Sequence, residues 1–417
     1  MSGTAVSGTG ASGLRVAYVL GTASGGTALH AGMLAEGCRR AGLTVTVLGP
    51  ASARGAFATG AGAPAARGAP GAAGPVGGIA VGGITFGVVE ISDRPRPARD
   101  AAAVAALRGL LRAIRPDVVH AHGLRAGAFS ALALLPSRRA RRPALVVTIH
   151  NAPPRGPLAR IVYAVLETTC ARRADAVLCA SADLAARMRR RGAAHAAEFD
   201  VPAASAPPPS EREVARARAD IGAAGRPVVL AAGRLAEQKG LDTLLAAATR
   251  WQRREPVPLL VIAGDGPLAA GLTAAARAAG VDLVLLGQRD DVRALLAVAD
   301  IVVVPSRWEA RALIVQEAMA AGRPIVASRV GGIPGLTGPD AAVLVPPGDA
   351  GQLATAVLAV LDDRELAARL SLAARARAAT LPAPADAVTA VVTVYQGLAA
   401  RQRSRRTIRR CTSRSGN

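Results

Sequence analysis

Residues 227–245 read PVVLAAGRLAEQKGLDTLL, and this stretch decides the expected fold. It opens with an apolar run of the length of a buried strand, continues into a loop with glycine, and ends in apolar residues at helical spacing. The loop holds Lys239, the only lysine among 51 lysine and arginine residues. In so arginine-rich a chain, a single lysine indicates a crowded position that a guanidinium is too wide to reach. A solvated lysine kept by chance is the alternative.

The same strand-and-helix pattern recurs on both sides of this stretch. Further apolar runs of strand length read LRVAYVLG, PDVVHAH, ALVVTIH and ADAVLCAS upstream, and PLLVIAGDG, VDLVLLG, ADIVVVPS, PIVAS and AAVLVPPGD downstream. Such alternation predicts parallel sheets that bind ligands at the carboxyl ends of their strands. The proline-rich VPAASAPPPSERE separates the two sets and predicts a linker. The sequence therefore predicts an α/β fold of two doubly wound Rossmann-like domains facing a central cleft.

The predicted boundaries follow from these patterns, and 417 residues suit two domains of roughly 200 residues each. We expect a flexible N-terminus over 1–13, a first Rossmann-like domain over 14–201 with a flexible insertion at 51–82, and a linker over 202–226. A second Rossmann-like domain is expected over 227–398, followed by a basic disordered tail over 399–417.

Location and cysteine use give only coarse expectations. No apolar run reaches the ~20 residues of a membrane span, and the N-terminus lacks the regions of a signal peptide, so we expect a cytoplasmic protein. The four cysteines show no CxxC spacing and no histidine partners at ligand spacing, so we expect neither a structural zinc site nor a disulfide framework.

The net charge of +22 indicates an anionic partner. Aromatic residues make up only 2% of the chain, whereas common nucleic-acid modules interleave aromatic and basic residues, so no nucleic acid is expected. A phosphorylated substrate or an anionic membrane surface fits better. Arg108, Arg112 and Arg115 share one face of a predicted helix that could lie on anionic lipid, and a solvated helix face is the alternative. The arginine-rich tail could add to this attraction.

Four charged residues suit a ligand that carries phosphates and sugar hydroxyls. Arg234 and Lys239 follow a strand, where two cations can clamp a diphosphate. Glu309 and Glu317 stand eight residues apart in PSRWEARALIVQEAMAAGRPIVAS, where carboxylates can bind sugar hydroxyls around a helix start that suits phosphates. Capping or surface carboxylates are the alternative. AGDGPLA at 263–269 matches the dinucleotide fingerprint, but Asp265 and Gln288 disfavour hydride transfer.

These motifs together resemble glycosyltransferase family 4, a family of retaining enzymes with GT-B architecture, from about residue 14 to 398. The resemblance rests on GRLAEQKGLDTLL, GDGPL, LLGQRDDVRALLAVADIVVVPS, the Glu309 and Glu317 pair, AMAAGRPIVAS, GGIP, PDVVHAHG, TIH and the glycine pair at 25 and 26. It implies a hexosyltransferase that uses a UDP- or GDP-sugar and an acceptor hydroxyl. The chain has no DxD motif, so we expect neither a metal nor a cofactor besides the donor.

The resemblance also implies roles for particular residues. The expected catalytic residues are His122, Arg234, Lys239 and Glu309. The first domain is expected to bind the acceptor and the second to bind the nucleotide sugar. Donor binding is expected at Gly25, Gly26, Arg234, Lys239, Arg289, Asp291, Glu309, Leu313, Ile314 and Glu317, with the diphosphate on Arg234 and Lys239, the ribose on Glu317 and the base beside Arg289 and Asp291. Acceptor binding is expected at His122 and His150. The acceptor stays open among a glycan, a lipid-linked alcohol and a small-molecule alcohol.

Two departures from the family leave alternatives. Residues 310–312 are Ala-Arg-Ala where many members have Gly-Phe-Gly, and Gly335 stands where many have a glutamate. A catalytically silent GT-B scaffold that binds a nucleotide sugar or an anionic membrane is therefore the main alternative. The others are a basic protein that binds nucleic acid or membrane through its tail, and a GT-B enzyme of another kind, such as a sugar-nucleotide epimerase.

Overall fold

The computed structural model describes residues 13–21, 26–58, 79–81, 83–92, 95–135, 142–151, 156–203 and 207–412. The chain divides into two compact units, of which the first joins residues 1–201 to residues 384–417 and the second spans 202–383. Both are parallel α/β structures, so the predicted fold class of two α/β domains is confirmed.

The first unit contains eight strands and seven helices in its described part. Its strands are β1 (Arg15–Leu20), β2 (Thr44–Gly49), β3 (Ile79–Val81), β4 (Ile84–Val88), β5 (Val118–His122), β6 (Ala144–Ile149), β7 (Ala176–Cys179) and β8 (Ala196–Glu198). Its helices are α1 (Gly26–Arg40), α2 (Gly55–Ala58), α3 (Pro97–Ile114), α4 (Leu124–Ala133), α5 (Pro157–Arg173), α6 (Ala182–Arg190) and, at the end of the chain, α15 (Pro384–Thr412).

The first sheet has the strand order β3-β4-β2-β1-β5-β6-β7-β8, with β3 antiparallel and the others parallel. Every residue of β5 and β6 is buried, as expected of central strands covered by helices on both faces. The strand order reverses between β1 and β5. In doubly wound sheets this reversal opens a crevice at the carboxyl ends of the two strands, where ligands bind.

The last helix corrects two predicted boundaries. Val391 and Tyr395 of α15 are fully buried in the core of the first unit, although the sequence placed residues up to 398 in the second domain. Apolar side chains three to four residues apart along α15 form the stripe that packs there. The predicted disordered tail from 399 is also wrong as far as 412, because α15 continues to Thr412; residues 413–417 lie outside the described residues.

The second unit contains six strands and eight helices in its described part. Its strands are β9 (Val228–Ala232), β10 (Leu259–Ala263), β11 (Leu283–Leu285), β12 (Ile301–Val304), β13 (Ile325–Ser328) and β14 (Val343–Val345). Its helices are α7 (Glu211–Ile221), α8 (Leu241–Ala248), α9 (Ala269–Ala278), α10 (Val292–Val298), α11 (Leu313–Ala320), α12 (Ile333–Thr337), α13 (Ala350–Asp362) and α14 (Arg364–Ala379).

The second sheet is fully parallel, with the order β11-β10-β9-β12-β13-β14. Alternate residues of β9 enter different cores, since Val228 and Leu230 face one apolar cluster and Val229 and Ala231 face the other. The order reverses between β9 and β12. The loops after these two strands therefore border the ligand crevice of this unit.

The predicted linker and insertion are more structured than the sequence indicated. Residues 202–226 include α7, whose start is a capping box: the Ser210 side chain accepts a hydrogen bond from the Glu213 backbone, and the Glu213 carboxylate accepts one from the Ser210 backbone. Within the predicted insertion at 51–82, α2 and β3 are formed, while residues 59–78 and 82 lie outside the described residues. Across the described ranges, no helix is both long and apolar enough to cross a bilayer.

Candidate functional site

Two loops at the strand reversal of the second unit are joined by hydrogen bonds. The backbone amide of Arg307, after β12, donates to the Gln238 carbonyl, after β9, at 2.7 Å. The Gln238 side-chain amide donates to the Trp308 carbonyl at 2.8 Å. Gly240 follows at φ +62°, and a Cβ atom there would lie 2.1 Å from the Pro305 carbonyl oxygen. Only glycine allows the two loops to approach this closely.

This contact brings Lys239 and Glu309 together. The Lys239 ammonium donates to Glu309 Oε1 at 2.6 Å, and the Ser306 hydroxyl donates to the same oxygen at 2.7 Å. Glu309 is only 6% exposed, while Lys239 is half-buried. The Lys239 stem passes so near Gly233 that a Cβ atom there would lie 3.5 Å from Lys239 Cε. The carboxylate therefore fixes the ammonium beside the Gly233 backbone.

Arg234 lies at the carboxyl end of β9, on the edge of a small pocket. The same pocket is lined by Lys239, Gly233, Pro305 and Ser306, among others. Arg234 is exposed, and within the described ranges its guanidinium makes no hydrogen bond or ion pair. It is thus available to an anion that approaches the pocket from solvent.

The GDG motif after β10 supports this loop by packing. Gly264 has φ +145°, and a Cβ atom there would lie 1.9 Å from the Gly233 carbonyl oxygen. At Gly266 a Cβ atom would lie 2.5 Å from the Leu235 carbonyl oxygen. The two glycines place their backbone directly against the segment that carries Arg234. This packing accounts for the glycine spacing that resembled a dinucleotide fingerprint.

Glu317 is half-buried in the second turn of α11. Burial raises the pKa of its carboxyl, and the charge of Arg293 opposes this effect. In the described part of the chain this carboxylate has no hydrogen-bond partner. Leu313 opens the helix, and Ala312 before it offers no side-chain cap. The Ile314 side chain lies in the apolar core, so only its backbone is free to meet a ligand.

Arg289 and Asp291, predicted to border the nucleotide base, bind each other. Arg289 donates two hydrogen bonds to the Asp291 carboxylate, at 2.7 and 2.6 Å, and one to Asp220 of α7 at 2.8 Å. These bonds raise the pKa of Arg289 and lower the pKa of Asp291. The pair fixes the loop before α10, and its role at the base stays a prediction.

In the first unit, the predicted acceptor residues His122 and His150 meet at the carboxyl ends of β5 and β6. His122 Nδ1 lies 3.4 Å from His150 Nε2, and both rings are buried. Gly26 opens α1 and is exposed, whereas Gly25 lies outside the described residues.

Sequence reasoning missed two further histidines of this cluster. His30 of α1 packs edge-on against His122 and His150, with ring centroids 5.8 and 5.3 Å away. His120 is bound by Thr148 Oγ1 at 2.6 Å and by the Tyr395 hydroxyl at 2.5 Å. His120 stands two residues before His122 on β5, so the alternation of a strand places both side chains on one face, whereas nothing adjacent to His30 in sequence pointed to it.

Burial keeps these imidazoles neutral. It lowers the pKa of His150 to about 4 and the pKa of His120 to about 3, and the nearby His150 ring adds to the shift of His120. Burial also places the pKa of His30 and of His122 well below the usual range, and neighbouring histidines add to the shift. At neutral pH the cluster therefore offers uncharged ring nitrogens.

The chain matches known proteins along most of its length. Residues 24–201 match the family model described as Glycosyltransferase Family 4, and residues 214–377 match that of Glycosyl transferases group 1. Glycogen synthase of Mycobacterium tuberculosis is 34% identical over 289 residues, covering 64% of this chain and 66% of that protein. Alpha-D-kanosaminyltransferase of Streptomyces kanamyceticus is 34% identical over 183 residues, covering 42% and 45%.

The fold is similar to that of solved structures. The Anabaena protein HepE in complex with UDP superposes with a TM-score of 0.70 at 19% identity, covering 92% of this chain and 100% of that one. The sequence matches are shorter, since the chain spans about half to two thirds of the length of the two relatives above.

Proposed function

Because the chain belongs to glycosyltransferase family 4 and has the two-unit GT-B architecture, we propose that it transfers a hexosyl group from a UDP- or GDP-sugar to an acceptor hydroxyl. The second unit holds the donor, and the first unit holds the acceptor. Transfer proceeds with retention and without a metal ion at the diphosphate.

The observation that carries this proposal is the cationic pocket at the strand reversal between β9 and β12. Arg234 and Lys239 line it together, and Glu309 holds the Lys239 ammonium in place. Two positioned cations can neutralise the charge that develops on a departing diphosphate without reorganising during the reaction. They supply the charge that a metal ion supplies in other transferases.

The carboxylates on either side suit the two sugars of the donor. Glu317 has no partner in the described residues, so its oxygens can accept hydrogen bonds from ribose hydroxyls. Glu309 Oε1 accepts hydrogen bonds from Lys239 and Ser306, and Oε2 is left to bind the transferred sugar. Between them, the uncapped start of α11 offers backbone amides to phosphate.

Calorimetric titration with UDP and with GDP in the presence of EDTA tests this site. We expect one of the two nucleotides to bind, and UDP is the first to try because HepE was solved with it. Binding should be lost in Lys239→Ala and kept in Arg277→Ala, which removes an exposed cation of α9 in the same unit. A wild-type chain that binds neither nucleotide would contradict the proposal.

Turnover separates an enzyme from a silent scaffold. A transferase that binds the nucleotide releases it from the matching nucleotide sugar when an acceptor is supplied, and the epimerase alternative yields free sugar or an epimer with no acceptor present. Binding without any release across glycan, lipid-linked and small-molecule alcohols would favour the scaffold.

A peripheral membrane location is a second candidate property of the first unit. Leu158, Ile161 and Val165 project from one face of α5 and are 74, 63 and 62% exposed. The predicted basic face of α3 contributes less than expected, because Arg108 donates to the carbonyls of Ala133 and Leu132. The apolar face of α5 is therefore the better candidate to enter a lipid surface.

Vesicle sedimentation tests this surface. We expect binding to vesicles that contain anionic lipid, weakening as salt rises, and about tenfold weaker binding for Ile161→Ser, since one apolar side chain no longer enters the bilayer. Leu372→Ser is the matched control, because Leu372 is 69% exposed in the second unit. Equal loss in both variants, or loss only when residues 401–417 are removed, would contradict a role for α5.

A further inference from the structure

Three imidazoles converge at the carboxyl end of the first sheet. His30 comes from α1, His122 ends β5, and His150 follows β6. One ring nitrogen from each lies within 4.8 Å of the other two, and none of the three residues is more than 9% exposed. Three separate elements of the fold thus place an imidazole ring at one buried point.

One of the three nitrogen–nitrogen distances is that of metal ligands. His122 Nδ1 and His150 Nε2 are 3.4 Å apart. Two nitrogens bound to tetrahedral zinc at about 2.0–2.1 Å stand about 3.4 Å from each other. A direct hydrogen bond between the rings is the competing account of this contact, but it leaves His30 without a role.

The cluster also contains ring nitrogens without partners. Both nitrogens of His30 and Nε2 of His122 are buried and have no hydrogen-bond partner in the part of the chain that the structure describes. Buried polar atoms in native proteins are nearly always satisfied, so a ligand-free account leaves an unexplained loss of stability. A cation bound through His122 Nδ1 and His150 Nε2 would engage one nitrogen of His30, whereas His122 Nε2 would stay outside the coordination sphere.

We propose that His30, His122 and His150 bind one divalent transition-metal ion, with zinc as the first choice. Neutral imidazoles suit Zn²⁺, Cu²⁺ and Ni²⁺, whereas Mg²⁺ and Ca²⁺ prefer oxygen ligands. Three histidines fill three tetrahedral positions and leave the fourth to water or to an oxygen of a bound molecule.

The surroundings hold the ligands in place. His120 packs against His122 with ring centroids 4.3 Å apart and the rings tilted by 31°, and Thr148 and Tyr395 fix His120 by hydrogen bonds. The Tyr18 ring stacks on the same His122 ring at 5.5 Å. Such packing restricts ring rotation, which favours a preorganised metal site.

Cobalt is the probe for this site, because its absorption reports coordination. Full-length protein is stripped with a chelator, dialysed and titrated with Co²⁺ and then Zn²⁺, while metal content is measured by mass spectrometry. We expect one ion per chain, the intense visible absorption of four-coordinate cobalt, its loss when zinc is added, and a melting temperature that rises with metal concentration.

Variants assign the ligands. His30→Ala and His150→Ala should each weaken metal binding at least tenfold, since even residues behind the ligands cost 10- to 100-fold. His195→Ala, the exposed fifth histidine, should bind as the wild type does. The proposal would be overturned by weak octahedral cobalt absorption in the wild type, by the absence of a bound ion, or by wild-type metal affinity in His30→Ala. The first two results come from the wild-type protein, so they do not depend on whether a variant folds.

Discussion

Replacing Lys239 by alanine is expected to slow nucleotide release from the donor by about 10- to 100-fold or more. One charge-assisted contact contributes roughly 1.5–3 kcal/mol, and each 1.36 kcal/mol of lost transition-state stabilisation is a factor of about ten in rate. The effect should appear in kcat/KM, because the variant loses the contact both with the bound nucleotide and with the diphosphate whose charge grows as the bond to the sugar breaks. Steady-state kinetics with sugars of the nucleotide that calorimetry identifies measure this effect.

Two further variants separate the possible causes of that loss. Lys239→Arg keeps the charge but carries a wider head into the space beside Gly233, so we expect it to be impaired as well. In Lys239→Ala alone, the buried Glu309 carboxylate loses its ion-pair partner. The double variant Lys239→Ala with Glu309→Gln also removes that negative charge. If this double variant recovered nucleotide binding, the loss would come from the stranded carboxylate, and the proposed phosphate contact would be wrong.

Gly264→Ala is expected to destabilise the second unit by about 3 kcal/mol or more. The added Cβ atom would stand 1.9 Å from the Gly233 carbonyl oxygen. In addition, residues other than glycine rarely adopt a φ of +145°. Each of these two effects costs about 1–3 kcal/mol. For a unit of this size we expect the melting temperature to fall by roughly 6–12 °C, measured by circular dichroism.

Gly271→Ala is the matched control from the neighbouring helix α9. Nothing lies within 4 Å of a Cβ atom at Gly271. Alanine is a better helix former than glycine by about 1 kcal/mol, so this variant should be slightly more stable than the wild type. Similar small effects at both positions would show that the close approach at Gly264 does not support the Arg234 loop.

Local patterns were enough to predict the strands and the loop that carries Arg234 and Lys239. Both features depend on residues adjacent in sequence, where the period of apolar residues and the glycines identify strand, turn and helix. The ion pair between Lys239 and Glu309 joins residues 70 positions apart in sequence. The motifs predicted that each residue binds the donor, but they did not indicate that the two side chains bind each other. Contacts of that range depend on tertiary packing.

The four-histidine cluster shows the same limit. His122 and His150 end neighbouring strands and could be placed together, whereas His30 reaches them from a helix whose rotation no local motif specifies. The Ser210 and Glu213 capping box is also visible in the sequence and marks the start of α7. The prolines before it favoured a linker, so the helix was included in the predicted linker.

The route of α15 has a consequence for how the protein is made. The core of the first unit includes Tyr395, whose hydroxyl donates to Tyr18 and contacts His120. A ribosome adding about 5–20 residues per second needs roughly 10–40 s to pass from residue 201 to residue 384. During that interval the second unit can emerge and fold as one continuous segment, while the first still lacks its closing helix. The unit whose synthesis begins first is therefore the last to finish folding. During synthesis, chaperones would bind an N-terminal sheet that still lacks α15.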